Sequence, residues 1–172
     1  MRSTFYRMSS RVFSRKGLSS HSSGLFPARD LLNRQFCFSL LLKWSEQMQA
    51  DLVVAASQLA KQYSFTVVVP ALDAVSALNE RLDFSMDNVL IHFAGQSRKR
   101  MTLKMQLHDW KAVPLQHSRQ YWREQLLKTL FTHHISPLWN YLHRLTGISR
   151  SVLWGNLAAY VYLAVRRKIA GK

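Results

Sequence analysis

The stretch Ser136–Val165, SPLWNYLHRLTGISRSVLWGNLAAYVYLAV, carries its own punctuation. Ser136 followed by Pro137 fits a helix start: a hydroxyl cap, then a ring whose fixed φ and missing N–H suit the first turn. Leu138, Tyr141, Leu142 and Leu145 recur at i, i+3, i+4 and i+7, the spacing of one apolar helix face. Gly147 suits the left-handed residue that closes such a helix, and Ser149 can cap the next. The segment therefore reads as a tight helical hairpin, Pro137–Thr146 against a second helix from Arg150 to about Lys168. Only 15 residues separate Arg150 from Arg166, and Asn156 is one of them. A spanning helix needs about 20 mainly apolar residues. The sequence thus predicts a buried central helix and no transmembrane span. Gly155 would admit a close neighbour, and Asn156 would be hydrogen-bonded as a tie between elements.

Working outward, the chain from Ser118 carries an apolar stripe of Trp122, Leu126, Leu127, Leu130 and Phe131, which predicts a helix ending near His134. Before it stand two β-prone runs, NVLIHFAG (88–95) and MTLKMQLH (101–108). The second alternates Met101, Leu103, Met105 and Leu107 with polar residues, the pattern of a strand with one wet face. Joined through GQSRKR, the two predict a hairpin with Arg98, Lys99 and Arg100 at its tip, a solvated turn or an anion-binding patch. SFTVVVP (64–70) reads as extended chain ended by Pro70, and ALDAVSALNERL (71–82) as a short helix with Leu72, Val75, Leu78 and Leu82 on one side. Asp30 is placed to cap a helix, and Leu41, Trp44, Met48, Leu52, Ala55 and Leu59 continue it on one face to about Gln62. Residues 1–29 hold no Asp or Glu but many Arg and Ser. They read as a flexible, disordered basic arm, with order beginning at Asp30; an organelle presequence is the rival, and a start codon placed too early is a third reading. Residues 30–172 then form one α+β domain, mainly helical, with one small antiparallel β-hairpin and the C-terminal helical hairpin.

Charge and chemistry narrow the function classes. The 172 residues include 24 Lys and Arg against nine Asp and Glu, a formal net charge of +15. Such a chain is drawn to anionic partners: nucleic acid, an acidic lipid surface or an anionic small molecule. Its single cysteine, Cys37, excludes an intrachain disulfide and every multi-cysteine zinc or iron–sulfur site built from this chain alone. Lying within FCFSLLL, it reads as a small buried hydrophobe. Of the seven histidines, the adjacent His133 and His134 point about 100° apart on a helix, and His143 lies beyond the Ser-Pro step. With no HExxH and no acid after Glu124, no metal site is expected. No GxGxxG, Walker, GxSxG or paired-carboxylate motif is present.

Over PLWNYLHRLTGISRSVLWGNLAAYVY (137–162), the proline-led helix, the TGIS turn and LWGN opening a helix rich in small residues resemble the ferric siderophore reductase family (FhuF-like). The upstream order agrees across Phe36–Arg167: a Trp-containing apolar helix, a short helix, a hairpin, then helices. The resemblance implies a cytoplasmic bacterial oxidoreductase that releases iron from ferric hydroxamates by reducing Fe(III). It also implies a [2Fe-2S] cofactor held by four cysteines near the C-terminus, a Cys-Cys pair and a Cys-x-x-Cys. Cys37 matches none of these, so the expectation is a truncated or degenerate member with no cofactor of its own, able to bind a ferric siderophore but not reduce it. Candidate substrate-binding residues are Trp154, Gly155 and Asn156, with Arg98, Lys99 and Arg100. The alternative is a small basic protein that grips nucleic acid or an anionic membrane surface, with mitochondrial import as the other destination; nucleic acid ranks below the siderophore.

Overall fold

A computed structural model describes residues 24–77, 80–94, 102–109, 113–114 and 118–170. The chain enters as strand β1 (Phe26–Pro27), turns through a 3-10 segment (Ala28–Leu32), and forms helices α1 (Arg34–Met48) and α2 (Leu52–Tyr63). A π-helical turn (Ser64–Val68) leads without a break into α3 (Val69–Ala77). Strands β2 (Glu80–Arg81), β3 (Val89–Ala94), β4 (Thr102–Leu107) and β5 (Val113–Pro114) follow. The chain then runs through α4 (Arg119–Lys128), a second π turn (Thr129–Ile135), α5 (Ser136–Thr146) and α6 (Arg150–Ala170).

The β3–β4 hairpin is antiparallel, with Val89 opposite Leu107 and Ala94 opposite Thr102. Leu103, Met105 and Leu107 are buried while Thr102 and Lys104 are exposed, so the predicted alternation holds. β1 adds to the other side of β3, pairing Phe26 with Ile91 and Pro27 with Leu90, to give the order β1-β3-β4. β2 and β5 form a separate two-stranded pair. At the free side of β4, Gln62 Oε1 accepts from the Leu103 N–H at 2.7 Å and Thr66 Oγ1 donates to the Leu103 carbonyl at 3.4 Å. Asn88 locks the base of the hairpin: its amide donates to the Asp83 and Asp109 carbonyls and its oxygen accepts from the Asp109 N–H. Val89, Ile91, Leu103 and Met105 of the sheet share one buried cluster with Leu41 and Trp44 of α1 and Ala55, Ala56, Leu59 and Ala60 of α2. The α+β class and the C-terminal helical hairpin stand as expected.

Several boundaries differ. Ordered structure is under way at Phe26, whose ring packs on Phe36 and Phe93 at 4.6 and 5.8 Å, ahead of the expected start at Asp30. Asp30 lies inside the 3-10 turn, and it is Asn33 whose side chain caps α1 by accepting from the Phe36 N–H at 3.0 Å. The expected long helix is two: Gln49 takes a left-handed conformation (φ 51°) and Asp51 caps α2. A continuous apolar stripe survives such a break, so periodicity alone missed it.

SFTVVVP is helical, against the expectation of extended chain, because burial of Thr66, Val67 and Val68 overrides the β preference of branched residues. The helix after Ser118 likewise does not stop at His134, and Ser136 lies within helical backbone (φ −59°, ψ −45°) instead of capping it. Both departures share one cause. Pro70 and Pro137 each stand second in an α segment that directly follows a π turn. A proline inside a helix lacks an N–H and strikes the carbonyl four residues back, and a wider turn relieves both problems. The helical run Leu52–Ala74 is long and apolar enough to cross a membrane by length and composition, but half of it is buried within this fold. Gly147 closes α5 as expected, with φ 77°.

Candidate functional site

α6 holds three of the expected site residues. It is not the buried central helix that its apolar composition suggested: Leu153 and Leu157 are buried, Asn156, Tyr160 and Val161 half-buried, and the outer side is open. Asn156 Nδ2 donates to Ser57 Oγ at 3.2 Å, tying α6 to α2. Farther along the same contact, Phe65 of the first π turn meets Tyr160 with ring centroids 5.8 Å apart. Trp154 precedes Asn156 by two residues, so the two side chains leave the helix about 160° apart. Trp154 is 37% exposed and faces outward. Gly155 has open space where a Cβ would stand, so the close neighbour expected for it is not there. α6 therefore does not bring Trp154 and Asn156 onto one face. Arg98, Lys99 and Arg100 lie outside the described residues.

A polar pair that periodicity gives no hint of sits in the core. The Tyr63 hydroxyl is hydrogen-bonded to His134 Nε2, and His134 Nδ1 lies 2.7 Å from the Phe84 carbonyl oxygen. A carbonyl can only accept, so Nδ1 carries the proton and Nε2 takes the phenol's. Tyr63 is the last residue of α2 and His134 belongs to the second π turn, so the pair joins the two places where the helices widen. The ring of Trp139 lies 6.2 Å from that of Tyr63. Burial holds the His134 imidazole neutral, lowering its pKa to about 4, with the Phe84 bond and Asp83 opposing in part. Burial also pushes the Tyr63 phenol far up. Tyr63 and His134 are 71 residues apart, and no local pattern announces them.

His143 is engaged locally, donating from Nδ1 to the Ile148 carbonyl at 2.7 Å. Among the described residues no three His, Cys, Asp or Glu side chains are grouped to hold a metal. Cys37 is buried, as its sequence context indicated, and desolvation raises its thiol to about 12. An all-cysteine [2Fe-2S] cluster requires four thiolates. These 172 residues offer one thiol, held protonated in the core, and do not fit that group.

A sequence model of the family described as "Ferric iron reductase FhuF-like transporter" matches residues 57–169, from Ser57 in α2 almost to the end of α6. No curated protein and no solved structure matches the chain. The matched span contains the β3–β4 hairpin, the Tyr63–His134 pair and both ends of the Ser57–Asn156 tie, and the chain belongs to the FhuF-like ferric iron reductase family.

Proposed function

We propose that this chain binds a ferric siderophore of the hydroxamate type and that these 172 residues by themselves hold no cluster with which to reduce the iron. The family match over residues 57–169 carries the first half of the reading. The second half rests on the one cysteine, since electron transfer through a four-thiolate cluster has no ligand set in this chain. Trp154 supplies an exposed aromatic surface on the outer side of α6, with Gly155 beside it, while Asn156 on the opposite side ties α6 to Ser57. Arg98, Lys99 and Arg100, in the segment joining β3 to β4, supply positive charge for anionic groups on the ligand.

Titration with a ferric hydroxamate, followed by tryptophan fluorescence, tests the binding. The expected result is saturable quenching that Trp154→Ala weakens. Random-sequence DNA is titrated in parallel, because the charge of +15 favours a purely electrostatic nucleic-acid reading, whose affinity falls steeply with salt. Tight DNA binding at physiological salt with no siderophore quenching would overturn the proposal. Anaerobic reconstitution with iron and sulfide should leave the protein colourless; a protein-bound visible band would overturn its non-redox half.

A further inference from the structure

From Ser151 to Val165, α6 runs for four turns without a charged residue, about 22 Å of helix at 1.5 Å per residue. Only Leu153 and Leu157 of this stretch are buried, while Val152, Trp154, Tyr162, Leu163 and Val165 are exposed, Tyr162 by 63%. Exposed helix faces in water normally carry charge. Here charge stands only at the two ends of the stretch, Arg150 and Arg166, both exposed and both positive. Neighbouring α2, tied to α6 by Ser57, exposes Val53 and Val54, and the first π turn exposes Phe65. Exposed apolar side chains thus occur on the neighbouring elements as well.

The charge carried by this end of the chain indicates what covers the face. From Gln125 to Lys172 the chain has seven Lys and Arg and no Asp or Glu. A second copy would bring the same excess, with +15 on each chain, so self-association works against repulsion. A surface that is both apolar and negatively charged meets both demands. An anionic bilayer is one: aliphatic side chains enter the acyl boundary, Trp and Tyr lie at headgroup depth, and Arg meets lipid phosphates. We infer that the outer face of α6, from Val152 to Val165 with Arg150 and Arg166 at its ends, docks in the plane of an anionic phospholipid membrane. No spanning segment is required. This docking does not rest on the siderophore reading, although both involve Trp154.

Flotation with phosphatidylcholine vesicles, with and without phosphatidylglycerol, tests the docking. The full chain should float with the anionic vesicles and much less with the neutral ones. Tyr162→Ser combined with Leu163→Gln, both at exposed positions that leave Trp154 and the core untouched, should weaken partitioning about tenfold through lost apolar contact. Arg150→Gln with Arg166→Gln should weaken it about twentyfold on anionic vesicles only. Circular dichroism establishes that each variant is folded. Equal binding to neutral and anionic vesicles, or insensitivity to both variant pairs, would overturn the inference. So would a dimer in solution that the Tyr162/Leu163 variant dissolves while vesicles go unbound, since a second copy would then be the occupant. Siderophore quenching that persists in the vesicle-deficient variant would show the two activities to be separate.

Discussion

Protonation of His134 should cost this protein a measurable part of its stability just below neutral pH. The imidazole is fully buried, with Nδ1 donating to the Phe84 carbonyl and Nε2 accepting from Tyr63, so protonation would put a charge in the core and force the Tyr63 hydroxyl to turn from donor to acceptor. Burial lowers its pKa from the ordinary 6.5 of a histidine to about 4 on folding. Above pH 6.5 both the folded and the unfolded states hold it neutral, and its contribution to stability is complete. As pH falls from 6.5 toward 4, the unfolded chain takes up the proton and the folded one does not, so stability declines through that window and levels off below it. At about 1.4 kcal/mol per pKa unit the loss comes to roughly 3 kcal/mol. Urea denaturation of the wild type and of His134→Leu at a series of pH values isolates the effect, because the remaining titrating groups are common to both chains. The variant should be less stable near pH 7 by about 2–5 kcal/mol, having left the Tyr63 hydroxyl and the Phe84 carbonyl without partners. The gap between the two proteins should then close by about 3 kcal/mol on reaching pH 4. A gap that stays constant over this range would show that His134 does not titrate between the folded and unfolded states, and would refute the buried-neutral assignment.

Two other substitutions test the scaffold. Asn88, only 7% exposed, makes three hydrogen bonds with Asp83 and Asp109. Asn88→Leu should cost about 3 kcal/mol and abolish hydrogen-exchange protection of the Asp109 amide; unchanged protection would mean that the hairpin base is held by other means. Gly155→Ala should raise stability by about 0.5–1 kcal/mol, since the added methyl meets open space and removes glycine's conformational freedom within a helix. A loss in thermal denaturation would instead place a close neighbour at that position.

The helical hairpin was legible because Gly147 and the Leu138–Leu145 spacing are local signals, and the β3–β4 pairing because alternation sets which face is wet. The proline steps misled the reading. Val69-Pro70 and Ser136-Pro137 carry the local signs of helix boundaries, yet the structure passes through both by widening the preceding turn. The exposure of α6 was equally hidden. An apolar helix satisfies the pattern for a core element whether or not enough chain packs around it, and composition does not count the neighbours. Asn156 was expected as a tie, but its partner Ser57 lies 99 residues away and only the fold identifies it. The Tyr63–His134 pair left no trace in the sequence for the same reason.

The side-chain cap on β4 bears on how this sheet resists the addition of a further strand. β4 is the edge of its sheet, and an uncovered edge offers unpaired N–H and carbonyl groups on which another chain can add a strand, the first step of aggregation. At Leu103 both outward groups are occupied, the N–H by Gln62 and the carbonyl by Thr66, residues that belong to the helical run beside the sheet. An incoming strand would have to displace that run before it could pair at this position. The edge is guarded by a helix that supplies, through two polar side chains, the contacts a neighbouring strand would have made.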